Sequence, residues 1–211
     1  MTVGVTGAAR RIAILGTGVV GRTLAARLSG LGHDVLVGSR TAKDDTVTFA
    51  EAARHGDLVV NATGGLVSVA ALTLAGGDNL AGKPLVDVAN PLDFSGGFPP
   101  KVLATDSQSL AERIQAAFPD ARVVKALNTM NSAVMVDPRA LPGPHSTFLA
   151  GADQDAKATV RALLLQMGWD DEEVLDLGDL TAARGLELYL PLWLSLRGLV
   201  GGPFNIHVVR G

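Results

Sequence analysis

The run "RIAILGTGVVGRTLAARLSGLG" (11–32) constrains this chain more than any other stretch. A compact apolar segment, "RIAIL" (11–15), passes directly into Gly16-x-Gly18-x-x-Gly21. Those glycines open an Ala/Leu-rich helix with Gly30 and Gly32 near its end. Each glycine answers a separate physical need, namely a tight turn, close backbone approach to a pyrophosphate, and close packing of helix on strand. The helix N-terminus adds unpaired N–H groups and a partial positive charge. The alternative is a turn with a purely structural role. In a strand–turn–helix–strand context the pattern reads as dinucleotide binding by Gly16, Thr17, Gly18, Val19, Val20 and Gly21.

The second strand, "DVLVG" (34–38), ends in Ser39-Arg40. In such folds this end lies beside the adenosine ribose. An acid there would bind the 2′-hydroxyl, whereas an arginine accommodates a 2′-phosphate. No acid falls between Val35 and Arg40, and Asp44 and Asp45 come only after the basic residues. Ser39 can donate a hydroxyl hydrogen bond, Arg40 offers a planar fork, and Lys43 adds a point charge. Thr17 faces the same region. The competing reading of Arg40 is a solvated surface arginine. The cofactor expected is NADP(H) rather than NAD.

Strands and helices then alternate. "TFAEAARHG" (48–56) reads as a helix ended by Gly56, "DLVVNAT" (57–63) as a third strand, and "SVAALTLAGG" (68–77) as a helix. "PLVDVAN" (84–90) is a fourth strand, and the Pro/Gly-dense "NPLDFSGGFPPK" (90–101) is a loop. "SLAERIQAAFP" (109–119) is a helix whose face carries Leu110, Ile114 and Ala117, with Phe118 at its border. "RVVKALN" (122–128) and "STFLAG" (146–151) are a fifth and a sixth strand. The helix over 153–168 is capped by Asp153 and stopped by Gly168, and "EVLDLG" (173–178) is a short extended segment. Residues 179–199 read as one apolar helix kinked near Pro191. This is an α/β chain: a Rossmann-type, doubly wound, mostly parallel sheet with a small C-terminal helical part. The division expected is a dinucleotide-binding domain over 1–150 and a helical extension over 151–211 that completes the pocket and forms a dimer interface.

Composition removes several function classes. The 211 residues carry a formal charge of −3 and no cluster of Lys and Arg, which argues against a nucleic-acid partner. No cysteine is available for disulfides, thiolate metal sites or thiol catalysis. "MTVGVTGAARR" is too short and too weakly apolar for a signal peptide. No apolar run reaches the ~20 residues that span a bilayer. A soluble cytoplasmic protein with no membrane partner is expected. The histidines His33, His55, His145 and His207 show no ligand spacing and read as exposed or capping residues, so no metal is expected.

"ILGTGVVGRTLAARLSGLGHDVLVGSR", "VVKALNTM" (123–130) and "DLGDLTAARGLELYLPLWLSL" together resemble the NADPH:F420 oxidoreductase family over nearly the whole chain. The same pattern occurs in the cytosolic domain of the STEAP metalloreductases. Where archaeal members carry His-Thr on the fifth strand, this chain has Asn128-Thr129. The resemblance implies a homodimer and direct hydride passage between NADPH and the deazaflavin coenzyme F420 in a stacked pocket. It also implies that Asn128, Thr129, Met130 and Ser132 face the two rings.

Hydride transfer between stacked rings needs orientation more than an acid or base, so no catalytic acid or base is assigned. The pocket is expected at the carboxyl ends of the strands: Ala62-Thr63-Gly64, Asn90-Pro91, and Asn128 to Ser132. Asn90 and Asn128 suit a carboxamide or, equally, plain turn chemistry. Met130 either packs on a ring or joins the core. Leu190, Trp193 and Leu194 share one side of the last helix and could cap the pocket or join a dimer interface. Asp87 is the one acid that could sit buried near the site, with no role assigned. Two other functions remain open. One is an NADPH-dependent reductase of another small-molecule acceptor (flavin, quinone, imine or carbonyl), with Tyr189 the proton donor to test. The other is a non-catalytic NADP-binding sensor.

Overall fold

The computed structural model describes residues 8–103 and 107–209. Most of the stretch "MTVGVTGAARR", which does not read as a signal peptide, therefore lies outside the described residues. The chain runs β1 (Arg11–Leu15), α1 (Val19–Gly30), β2 (Asp34–Ser39), β3 (Val47–Thr48), α2 (Phe49–His55), β4 (Leu58–Asn61), α3 (Ser68–Ala75), α4 (Gly77–Leu80) and β5 (Pro84–Asp87). It continues with β6 (Leu92–Asp93), β7 (Lys101–Val102), α5 (Leu110–Ala117), β8 (Arg122–Ala126), α6 (Ser132–Val136), β9 (Thr147–Ala150), α7 (Gln154–Met167), β10 (Val174–Asp176), α8 (Ala183–Leu188) and α9 (Leu190–Val200).

Eight strands form one sheet in the order β10-β9-β8-β5-β4-β1-β2-β3. β1 pairs in parallel with both β2 and β4, so the order reverses at β1 and opens a crevice at the carboxyl ends. Alternation along β1 sends Ile12 and Ile14 to one core, and Ala13 and Leu15 to the other. Both faces are thus covered, as a parallel sheet requires. Side-chain caps close the loops onto helices: Thr48 with Glu51 on α2, Ser109 with Glu112 on α5, and Asp153 on α7. Gly168 ends α7 in a left-handed conformation with φ 109°.

Several expectations need correction. The sheet is mostly parallel, as expected, and the sixth strand, β9, is its exception: it runs antiparallel to β8, with Lys125 opposite Ala150, and β10 follows β9 in parallel. Residues 154–176 therefore belong to the same layered sheet, and the helical part begins only near Leu180. The 90–101 loop carries a small antiparallel pairing of β6 with β7. On α5 it is Ala111, not Ala117, that is buried beside Leu110 and Ile114, because the helix core faces its first turn. The break before Pro191 falls at Tyr189, dividing residues 183–200 into α8 and α9.

Two histidines are buried rather than exposed. His33 accepts from the Arg10 N–H and contacts Gln166 Oε1 at 2.8 Å. His145 packs edge-on against Trp169 and contacts the Pro138 carbonyl at 2.8 Å. Both are satisfied structural groups. Among the described residues no helix is long and apolar enough to cross a membrane, and no group of three or more His, Cys, Asp or Glu could hold a metal ion.

Candidate functional site

The glycine turn is fixed by contacts that no side chain could tolerate. Gly16 has φ 122°, and a Cβ there would sit 2.5 Å from the Ala62 carbonyl oxygen. A Cβ on Gly21 would stand 2.1 Å from the Gly16 oxygen. Gly18, the N-cap of α1, is different: a Cβ there would meet nothing within 4 Å. The backbone around Gly18 therefore faces open space, and no acid stands in the first turn of α1. That is a cradle shaped for an anion.

From this cradle an open groove of about 1110 Å³ leads over the end of β2. Thr17, Arg22, Ser39, Arg40 and Lys43 line it. The side chains of Arg40 and Lys43 make no hydrogen bond or ion pair among the described residues, so two cations stand ready for a phosphate. Arg22 is committed to Asp45, with one arm at 3.1 Å. Ser39 is also committed: its hydroxyl donates to the Thr41 carbonyl at 2.7 Å and lies 3.1 Å from Thr46 Oγ1. In this arrangement Ser39 ties the loop that carries Arg40, rather than presenting a free donor.

Ala62, Thr63, Gly64 and Val67 border both this groove and a second cavity of about 340 Å³ at the ends of β4, β5 and β8. That cavity is walled by Val20, Val88, Ala89, Asn90, Asn128, Met130, Met135, Leu190 and Trp193, with Phe94 from the 90–101 loop. Among the described residues no ionisable side chain lines it. The two asparagines brace each other: Asn90 Nδ2 donates to the Asn128 carbonyl at 2.8 Å, and Asn128 Nδ2 donates to Asn90 Oδ1 at 2.9 Å and to the Leu186 carbonyl at 3.0 Å. Asn128 Oδ1 is buried and has no partner among the described residues. Trp193 Nε1 is in the same condition. An unpaired buried acceptor next to a cavity wall is an unsatisfied group that a small rotation of Asn128 would bring to a ligand donor. Trp193 is held by stacking on Phe204 at 5.6 Å, with Arg197 over its ring at 5.5 Å.

The expected pocket is only partly assembled. Asn90, Asn128, Met130 and Trp193 meet at the cavity, whereas Thr129, Ser132 and Tyr189 do not line it. After β8 the chain turns through Leu127 at φ 61°; Asn128, Thr129 and Met130 are all buried, and of the three Asn128 and Met130 line the cavity. Ser132 begins α6, and Tyr189 sits at the α8–α9 junction. Burial pushes the Tyr189 hydroxyl above the ordinary tyrosine range. Val19 is exposed and lines neither space, in contrast to Val20. Leu66, Val67 and Phe94 had no signal in the sequence, since their loops bear no periodic pattern.

Asp87 is buried, as anticipated, but it is not the one buried acid nearby. Glu187 is equally buried, and Lys125 lies between them. A lysine inside a short apolar strand was the available signal.

Residues 11–91 match the family described as NADP oxidoreductase, coenzyme F420-dependent. A solved structure of a candidate F420-dependent NADP-reductase from Arthrobacter sp. FB24 is 48% identical, with a TM-score of 0.90 over 96% of this chain and 100% of that one. An F420-dependent NADP reductase from Methanothermobacter marburgensis is 29% identical over 88% of this chain and 92% of its own length. The metalloreductase STEAP3 of Rattus norvegicus is 36% identical over 88% of this chain, which spans only 38% of that protein's length.

Proposed function

The chain belongs to the coenzyme F420-dependent NADP oxidoreductase family, and from that premise we propose that this NADP-dependent oxidoreductase passes a hydride between NADPH and coenzyme F420. The observation that carries this reading is a 340 Å³ cavity with no ionisable lining among the described residues, sharing a wall with a groove that holds two uncommitted cations. Gly16, Thr17 and Gly18 would hold the pyrophosphate on the N-terminus of α1, while Arg40 and Lys43 take the 2′-phosphate. Ala62, Thr63 and Gly64 would pass the cofactor into the cavity, where Asn128, once turned toward the space, would accept from the carboxamide. NADPH supplies the hydride; the protein supplies proximity and a dry apolar enclosure. The hydride adds to the acceptor ring and leaves it with one extra negative charge, and solvent supplies the one proton that balances the reaction. We further place this activity in the cytoplasm, in a homodimer whose subunits bury the exposed apolar residues Leu192, Leu199 and Val200 of α9.

The similarity to a metalloreductase favours a second reading, in which the acceptor is another redox ring such as a flavin. Purified protein with NADPH and oxidised F420 tests the first reading. Loss of the deazaflavin absorbance that depends on enzyme and is not reproduced by NADH is expected. Bound NADPH with no F420 turnover, and turnover with a flavin, would select the second.

A further inference from the structure

Lys125 on β8, Asp87 on β5 and Glu187 on α8 are each 0% exposed, and none of them lines the groove or the cavity. Lys125 Nζ donates to Asp87 Oδ2 at 2.8 Å and to the Ala89 carbonyl, and stands 3.0 Å from Glu187 Oε1. Every other group on the carboxylates is also a donor. Asn61 Nδ2 and the Ala89 N–H reach Asp87 Oδ1 at 2.8 and 3.3 Å. The N–H groups of Leu110 and Ala111, in the first turn of α5, reach Glu187 at 2.8 and 3.2 Å. A protonated carboxyl needs an acceptor for its hydrogen, and none faces either group among the described residues. In this geometry both act as carboxylate acceptors. Burial alone pushes the Lys125 ammonium down, but Asp87 and Glu187 together hold it above the ordinary lysine range. Two negative charges and one positive charge leave a net −1 in the interior.

Asp87 stands one residue behind the cavity wall, and Asn61 and Glu187 reach that wall through their neighbours. Asp87 precedes Val88 and Ala89, Asn61 precedes Ala62 and Thr63, and Glu187 follows Leu186, whose carbonyl holds Asn128. The geometry points to an electrostatic role: the buried anion excess of Asp87 and Glu187 favours the cationic ring that remains once NADPH has lost its hydride. The inference rests on the reading that the nicotinamide occupies this cavity. The departing hydride carries two electrons to the acceptor, leaves one positive charge on the ring and takes no proton from the protein. The adenosine end binds identically in both oxidation states, so the difference lies at the ring. A tighter hold on the oxidised form makes the bound reduced form a stronger hydride donor. One unit charge at a distance of roughly 10 Å and an effective dielectric constant of about 20 changes the relative affinity on the order of ten-fold. For a two-electron couple that is about 30 mV. These three are positioning residues, since none touches a reacting atom.

The test is calorimetric titration of NADP+, NADPH and 2′,5′-ADP, which lacks the ring, into wild type, Glu187→Gln and Asp87→Asn. Neutralising either carboxylate should lower the NADP+ to NADPH affinity ratio about ten-fold and leave 2′,5′-ADP binding unchanged. An unchanged ratio in a folded variant, or equal losses for all three ligands, would overturn the proposal. Should neither variant fold, wild type decides: adding the ring must strengthen binding more for NADP+ than for NADPH, and the reverse order overturns it. If wild type binds none of the three, the cofactor-site reading fails first, and that failure is distinct from an unchanged ratio.

Discussion

Replacing Arg40 with alanine isolates the part of the cofactor that distinguishes NADPH from NADH. Arg40 is exposed and its side chain makes no hydrogen bond or ion pair among the described residues, so its removal orphans no polar partner. Folding stability should change by less than about 0.5 kcal/mol. What is lost is a charge-assisted contact with the 2′-phosphate, worth about 1.5–3 kcal/mol. That corresponds to about a 10- to 150-fold weaker Kd for NADPH. NADH has no such phosphate, and its Kd should move less than about two-fold. Lys43 remains in the groove, so Arg40→Ala should retain some preference that Arg40→Ala with Lys43→Ala removes. Titration calorimetry at one fixed ionic strength measures both constants, because salt alone would weaken an exposed phosphate contact. An unchanged NADPH to NADH ratio would refute the assignment. The phosphate would then have to be sought at Arg22, the groove cation now paired with Asp45.

Gly21→Ala should abolish cofactor binding and lower the Tm, because its Cβ would stand 2.1 Å from the Gly16 oxygen; a folded variant with normal NADPH affinity would contradict the turn's role. Tyr189→Phe should leave F420 reduction unchanged, since Tyr189 lies outside the cavity wall; a large drop in kcat would revive it as a proton donor. The Arg184 guanidinium on Glu112 holds that carboxyl down at about 2, well below the ordinary 4.5. A folded-state pKa below the unfolded value contributes stability above about pH 4.5 that is lost as the pH falls toward 2. Arg184→Met should therefore move the acid-unfolding midpoint to higher pH, and an unmoved midpoint would remove the pair from the acid-stability account.

The local parts of the fold were legible in the sequence, because their causes are local. The glycine turn, the Asp153 cap, the Gly168 stop and the break before Pro191 each depend on a few neighbouring residues. The groove was legible as well, since Arg40 and Lys43 follow directly from the end of β2. What was hidden depends on distant partners. Lys125 meets Asp87 across 38 positions, and His33 meets Gln166 across 133. A sequence read in windows gives neither contact. The reversal of β9 was hidden for the same reason, because an apolar strand carries no mark of its direction. Thr129 and Ser132, expected at the pocket, do not line the cavity, and the left-handed Leu127 just before them is a turn that no sequence pattern marks.

Under the proposed function, hydride moves directly from NADPH to a ring acceptor without a protein acid or base. NADPH deuterated at the transferring position, mixed with enzyme and F420 in ordinary water, tests this by mass spectrometry of the reduced product. Deuterium on the hydride-accepting carbon of F420 is the predicted result. Reduced F420 carrying only solvent hydrogen would contradict it.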